Sequence, residues 1–324
     1  MPLIKCTECG NMISDKASKC PKCGMPTGLV KQNQDETTQL QHHVRVSPEV
    51  GEDSSHRNGL YIIIALLAVA ALGIGGFILW KSGEKSTKED SQKEEPDPVI
   101  QNLVDNMVDV EGGTFTMGAT PEQGVADSDE RPTHQVTLSS FSIGRYEVTQ
   151  EEWEAVMGTN PASFKGDKCP VEFVSWNDCQ TFIKKLNKMT GMEFRLPTEA
   201  EWEFAARGGN KSKSYKFAGG NTLNTQGWYV GNSGNKTNEV GKKFPNELGL
   251  YDMTGNLWEW CADWYGAYSD SSQKNPTGPQ SGFTRVLRGG GWNGGDKNCR
   301  ISNRDGRAPD YSSDRLGLRL VMDI

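Results

Sequence analysis

The sequence predicts an α+β domain over residues 99–324 in which irregular backbone is stiffened by tryptophan packing and bound ions. A cysteine module and one membrane-spanning helix precede it. Three observations carry the prediction. Capping-box patterns announce three helices, at Thr149–Glu152, Ser175–Asp178 and Thr198–Glu201. Beyond Gly208 the chain turns rich in Gly, Asn, Ser and aromatics, which suits short strands and long loops. The segment Gly249–Trp264, G-L-Y-D-M-T-G-N-L-W-E-W-C-A-D-W, crowds three tryptophans, two glycines and three carboxylates together with no helix or strand period.

Residues 1–28 carry Cys6, Cys9, Cys20 and Cys23 in the spacing C-x2-C-x10-C-x2-C, each pair followed by glycine. Four thiolates suit tetrahedral Zn2+ in a closed structural site. So short a segment buries too little apolar surface to fold unaided, so metal binding would supply its folding energy. Two disulfides or a redox pair are the alternatives. Residues 29–59 are polar and unpatterned, a linker in which His42, His43 and His56 read as solvated.

Leu60–Trp80 is free of charge. At the helical rise it spans about 31 Å, close to the hydrocarbon core of a bilayer. Tyr61 and Trp80 sit at its ends, where aromatic belts lie. One transmembrane helix is expected. Residues 81–98 form a charged stalk that should stay extended. Lys81, Lys85, Lys88 and Lys93 outnumber Arg45 and Arg57 near the span, which by itself places the C-terminal side in the cytoplasm. The thiols of the N-terminal module need a reducing compartment to stay metallated, which argues the reverse. The expectation is a single-pass membrane protein with its cysteine module cytoplasmic and its large domain extracytoplasmic.

Within that domain V-E-G-G-T-F-T-M-G at Val110–Gly118 reads as strand and turn. The three caps precede Trp153 and Val156, then Phe182, Ile183 and Leu186, then Trp202, Phe204 and Ala205. In the tryptophan-rich segment Asp252 and Glu259 are hard oxygen ligands, and the turn between them can aim backbone carbonyls at one point, as Ca2+ requires. Glu259 also reads as a helix cap or an arginine partner.

Several functions are excluded. The formal net charge is -7, and residues 1–59 balance seven basic against seven acidic groups, so no basic face supports nucleic-acid binding. No G-x-S-x-G is present, and Gly289–Gly291 lacks the Lys-Ser/Thr of a phosphate loop. His134, the one histidine of the domain and a surface or strand residue, cannot make a multi-histidine iron site.

F-R-L-P-T-E-A-E-W-E-F-A-A-R-G-G at Phe194–Gly209 resembles the signature of the formylglycine-generating enzyme family, also called sulfatase-modifying factors. So do V-S-W-N-D at Val174–Asp178, G-L-Y-D-M-T-G-N-L-W-E-W at Gly249–Trp260, R-V-L-R-G-G-G-W at Arg285–Trp292 and L-G-L-R-L at Leu316–Leu320. The blocks stand in family order and cover nearly all of residues 108–324. The resemblance implies a C-type-lectin-like fold with little regular structure, stabilised by Ca2+. It implies Asp252, Gly255, Leu257 and Glu259 as one calcium set, and a second site beginning near Asn232 and Ser233. Asp252 stands where the family often has asparagine.

The family's enzymes oxidise a sulfatase cysteine to formylglycine with O2 and a Cu(I) held by two cysteines. The matching positions here are Gly294 and Cys299, so one thiolate of the pair is absent. Gly291 stands in place of an active-site serine, while Trp258 at the base of the pocket is kept. A single thiolate does not reproduce two-coordinate Cu(I). Cys261, Cys169 and Cys179 are candidate replacements, and a Cys261–Cys299 disulfide or a buried core thiol is the plainer reading of Cys299. The sequence therefore reads first as a membrane-anchored, non-catalytic family member that binds a protein, peptide or glycan. An envelope-assembly component is a related reading. The alternative is a formylglycine-generating-type oxidoreductase with a rearranged thiol set and Cu(I).

Overall fold

The computed structural model of the protein describes Leu3–Lys5, Met12–Ser14 and residues 97–324. The chain divides into two units, Met1–Ser86 and Thr87–Ile324. In the first, strands β1 (Leu3–Lys5) and β2 (Met12–Ser14) pair antiparallel, Leu3 opposite Ser14. The four cysteines of the zinc motif and the Leu60–Trp80 segment lie outside the described residues. Among the described residues no helix is long and apolar enough to cross a membrane.

The second unit is mixed α/β. It opens with α1 (Pro98–Asp105), whose Asp97 side chain accepts the Val99 N–H at 2.8 Å and whose ring-locked Pro98 suits the first turn. Strands β3 (Met107–Val110), β4 (Gly113–Met117), β5 (His134–Leu138) and β6 (Phe141–Gly144) follow. The three foreseen helices are α2 (Gln150–Met157), α3 (Trp176–Thr190) and α4 (Glu199–Ala206). Each starts with a reciprocal capping box. In α4 the Thr198 N–H donates to Glu201 at 2.8 Å and the Glu201 N–H returns to the Thr198 hydroxyl at 3.2 Å. Each box satisfies two amides that a helix start otherwise leaves orphaned.

Strand β7 (Phe194–Arg195) separates α3 from α4. After α4 come the single turn α5 (Leu223–Gln226) and then β8 (Trp258–Trp264), β9 (Gln273–Lys274), β10 (Arg285–Arg288), β11 (Arg304–Arg307), β12 (Leu316–Gly317) and β13 (Val321–Asp323). Three small sheets result, ordered β11-β10-β8-β12, β3-β6-β13-β7 and β4-β5-β9. In the first, β12 runs parallel to β8 while β10 runs antiparallel to it.

Two apolar clusters fill the unit. In one, α2 and α3 pack by the face that carries Trp153, Phe182, Ile183 and Leu186, with Trp153 stacked on Phe182 at 4.9 Å between ring centroids. In the other, Trp202 and Phe204 of α4 meet Val136, Ile143 and Val286 from β5, β6 and β10. Every residue of α4 is buried, its three glutamates included. Those charges are tolerated because each is paired. Glu199 meets Arg304 at 2.6 Å, Glu201 meets Arg195 at 2.7 Å, and Glu203 meets Arg288 and Arg207. His134 is buried on β5, a strand residue as expected but without an open surface.

Candidate functional site

Leu250, Met253, Leu257 and Trp260 are buried and pin the Gly249–Trp264 segment to the core. Between them the backbone turns through left-handed conformations at Asp252 (φ 58°), Gly255 (77°) and Asn256 (62°). Gly255 is required on space as well, since a Cβ there would stand 2.1 Å from the Trp228 carbonyl oxygen. Its N–H donates to Gly289 O at 2.8 Å, and Asn256 O accepts the Trp292 N–H at 2.7 Å. The turn is thus bonded directly to the Gly289–Trp292 loop.

Three fully buried carboxylates gather here. Glu259 is occupied: one oxygen accepts Trp202 Nε1 at 2.7 Å, and Arg319 grips both oxygens, its Nη2 at 2.7 Å and its Nε at 3.0 Å from the oxygen shared with Trp202. Arg319 also donates to the Gly144 and Tyr251 carbonyls at 2.9 Å. The arginine-partner reading of Glu259 is therefore the geometry observed. Asp252 accepts the Gly241 N–H on Oδ2 at 2.7 Å, whereas its buried Oδ1 has no partner. Burial, with Glu259 nearby, pushes the Asp252 carboxyl up to about 6. Glu147 is the third, a residue the sequence reading passed over. It accepts Asn256 Nδ2 at 2.7 Å and the Leu257 N–H at 3.0 Å. Burial first, then the charges of Asp252 and Glu259, drive its carboxyl well above the usual range.

Arg319 answers Glu259, while burial biases Glu147 and Asp252 toward their neutral forms. All the donors are hard oxygens, and one, Asp252 Oδ1, lies unpartnered. Asp252 Oδ1 is thus the ligand atom open to Ca2+, whereas both oxygens of Glu147 already accept hydrogen bonds, from Asn256 and Leu257. Glu259 is committed elsewhere. No three carboxylate oxygens from these residues come within 4.8 Å of one another; among the described residues that holds only for Asp127, Asp129 and Glu130. The latter trio is already engaged, by Lys297, Tyr265 and Arg300.

Asn232 and Ser233 serve their own turn. Asn232 Oδ1 accepts the Tyr229 N–H at 2.9 Å, its Nδ2 donates to Gly227 O at 3.0 Å, and Ser233 Oγ accepts the Asn235 N–H at 3.2 Å.

Trp258 lies against Gly291, Gly294 folds back onto Gly291, and the Cys299 backbone runs beside Gly290. A Cβ on Gly291 would lie 3.2 Å from Trp258 Cδ1, and one on Gly294 would meet Gly291 O at 3.1 Å and Asn298 Cβ at 3.2 Å. A small side chain at 294 needs only a slight shift of its neighbours. Cys299 is fully buried among Phe217, Leu223 and Tyr229, and burial pushes its thiol up to about 12. Cys261 belongs to the Trp202 cluster and Cys179 to the Phe182 cluster, so neither shares the Cys299 pocket. Both Cys261 and Cys299 are free thiols, which removes the disulfide reading. Cys299 is the buried core thiol of the plainer alternative.

Residues 92–324 match the sulfatase-modifying factor enzyme 1-like domain. The chain belongs to that family. It is 33% identical over 272 residues to the chaperone protein LppX of Paenibacillus barcinonensis, covering 67% of this chain and 89% of that one. Against the formylglycine-generating enzyme of Thermomonospora curvata it is 31% identical over 296 residues, covering 69% and 95%. The structure of Treponema denticola variable protein 1 superposes with a TM-score of 0.62 at 36% identity, over 67% of this chain and 95% of that chain. Trp202, Glu259 and Arg319, drawn from three separate sequence blocks, meet at one buried contact. The Phe194–Gly209, Gly249–Trp260 and Leu316–Leu320 blocks were legible as a resemblance; their convergence is a property of the tertiary fold. The signal for Glu147 was its position two residues before the Thr149 cap, in R-Y-E-V-T.

Proposed function

We propose that the protein is a membrane-anchored binding module of the sulfatase-modifying factor family that does not perform copper-dependent cysteine oxidation. One observation carries this: Cys299 is walled by Phe217, Leu223 and Tyr229, and the position that would supply its partner sulfur is Gly294. A high-pKa thiol in an apolar pocket is a poor metal ligand, because the thiolate is the binding form. The ligand is a protein, a peptide or a glycan. The name of the LppX relative, a chaperone, supports a polypeptide among these.

Ca2+ would be held by Asp252 with the Gly255 and Leu257 carbonyls, Glu259 joining only if Arg319 released it, and would draw the Asp252 carboxyl into its ionised form. Asn232 and Ser233, with side chains already bonded within their turn, are the weaker basis for a second ion. Cys6, Cys9, Cys20 and Cys23 would hold Zn2+ on the cytoplasmic side, with Leu60–Trp80 as the anchor and the large domain outside.

Copper titration tests the reading. Wild type should bind no stoichiometric Cu(I), whereas Gly294→Cys should restore a two-thiolate site with Cys299. Stoichiometric Cu(I) on wild type, abolished by Cys299→Ala, would revive the oxidoreductase alternative.

A further inference from the structure

A cleft of about 590 Å3 opens away from both sites described above. Its walls include Trp176 and Gln180 of α3, Arg195 of β7, Glu201 of α4, Thr277 of the loop after β9, and Asp323 of β13. None of Asp252, Glu259, Trp258, Gly294 or Cys299 contributes to it. Its volume lies within the roughly 300–1,000 Å3 typical of small-molecule sites.

The walls are held in place before any ligand arrives. The Trp176 indole donates to Cys261 O at 3.0 Å, and the Arg285 guanidinium packs over it at 4.0 Å while lying 3.5 Å over Trp264. Gln180 follows Trp176 by four residues and so shares its helix face. The Arg195 fork bonds both oxygens of Glu201 at 2.7 Å and reaches Asp323 at 2.5 Å. The 275–277 loop is pinned by Asn275, which accepts the Ser139 N–H at 2.8 Å and donates to its hydroxyl at 3.0 Å.

The lining chooses among ligand classes. Arg195 is answered by two carboxylates, so the cleft offers no net positive charge to a phosphate or an acidic peptide. Leu138, Leu196, Ala262 and Ile324 supply an apolar floor among these polar groups, the mixed lining of a ligand that has both C–H faces and hydroxyls. The cleft combines an indole with planar amide, carboxylate and guanidinium groups and a threonine hydroxyl. With Arg195 and Glu201 bonded to each other, the Gln180 amide, the Thr277 hydroxyl and the second oxygen of Asp323 are the groups left to bond a ligand's hydroxyls, while an indole covers C–H surface. We infer that this cleft binds a neutral oligosaccharide.

The inference rests on the binding-module reading and gives it a glycan site. Calorimetry on the purified full chain in EDTA tests it, with cellotetraose, maltotetraose and chitotetraose as probes. At least one should bind with a Kd of about 1 mM or tighter, and Gln180→Ala and Asp323→Ala should each weaken it about tenfold or more while near-ultraviolet dichroism stays native. Absence of binding by all three probes would overturn the site. So would affinity unchanged in both variants, or affinity that appears only when Ca2+ is added. None of these outcomes bears on the copper titration, so the two readings fail separately.

Discussion

Glu259→Gln separates the two roles open to that side chain. Both Glu259 and Arg319 are completely buried, and the glutamate receives Arg319 and Trp202 on its two oxygens. Glutamine keeps the volume, so no cavity term enters. It removes the charge that answers Arg319 and turns a donor toward either Arg319 or Trp202. Breaking a buried pair by altering one partner costs about 3–5 kcal/mol. For a domain of this size that lowers the Tm by roughly 6–20 °C. The assay is denaturant unfolding followed by tryptophan fluorescence, in saturating Ca2+ and again in EDTA. The deficit should be equal in the two buffers, because Arg319 is unpaired in both. Asp252→Asn provides the contrast: its deficit should appear only with Ca2+ present, about 2.7 kcal/mol at 100 times the Kd. A Glu259→Gln deficit that vanishes in EDTA would show the carboxylate to be a calcium ligand first, and the argument from Arg319 would fall.

Gly255→Ala should cost at least about 3 kcal/mol or prevent folding, since its Cβ would collide with Trp228 O in a left-handed turn; a variant of wild-type Cm would contradict that. Burial alone would raise the Glu130 carboxyl, but Arg300 and Ser302 overcome it and hold it down at about 2. A depressed carboxyl contributes stability that is fully present above pH 4.5 and is lost as pH falls toward 2, at most about 3 kcal/mol. Glu130→Gln should therefore flatten the stability profile over that window, and an unchanged slope would refute the linkage. Cys20→Ser should release Zn2+ from residues 1–28 and leave the melting of the large unit untouched; a shared loss would contradict the division into units.

The helices were legible because their determinants are local. Thr149, Ser175 and Thr198 each reach an acid three residues on, and the apolar positions after them recur with the helical period. That information survives in one dimension. Cys299 as a buried thiol was legible only as one option. Its isolation from Cys261 depends on which core cluster the β8 strand and the turn after β10 each feed, and a spacing along the chain does not state that. The electrostatic site was half-legible. Asp252 and Glu259 announced themselves by type and position, yet their fates diverged on contacts about 60 residues away in either direction: Trp202 and Arg319 claimed one carboxylate, and the other was left with a bare oxygen. Glu147, more than 100 residues upstream, joined them through Asn256 and Leu257. The amino-acid sequence by itself determined the family, the helix starts and the missing sulfur at Gly294. The tertiary structure alone decided which buried charges are answered, because pairing energy depends on separation in space and on the exclusion of water, and both arise only when distant segments pack together.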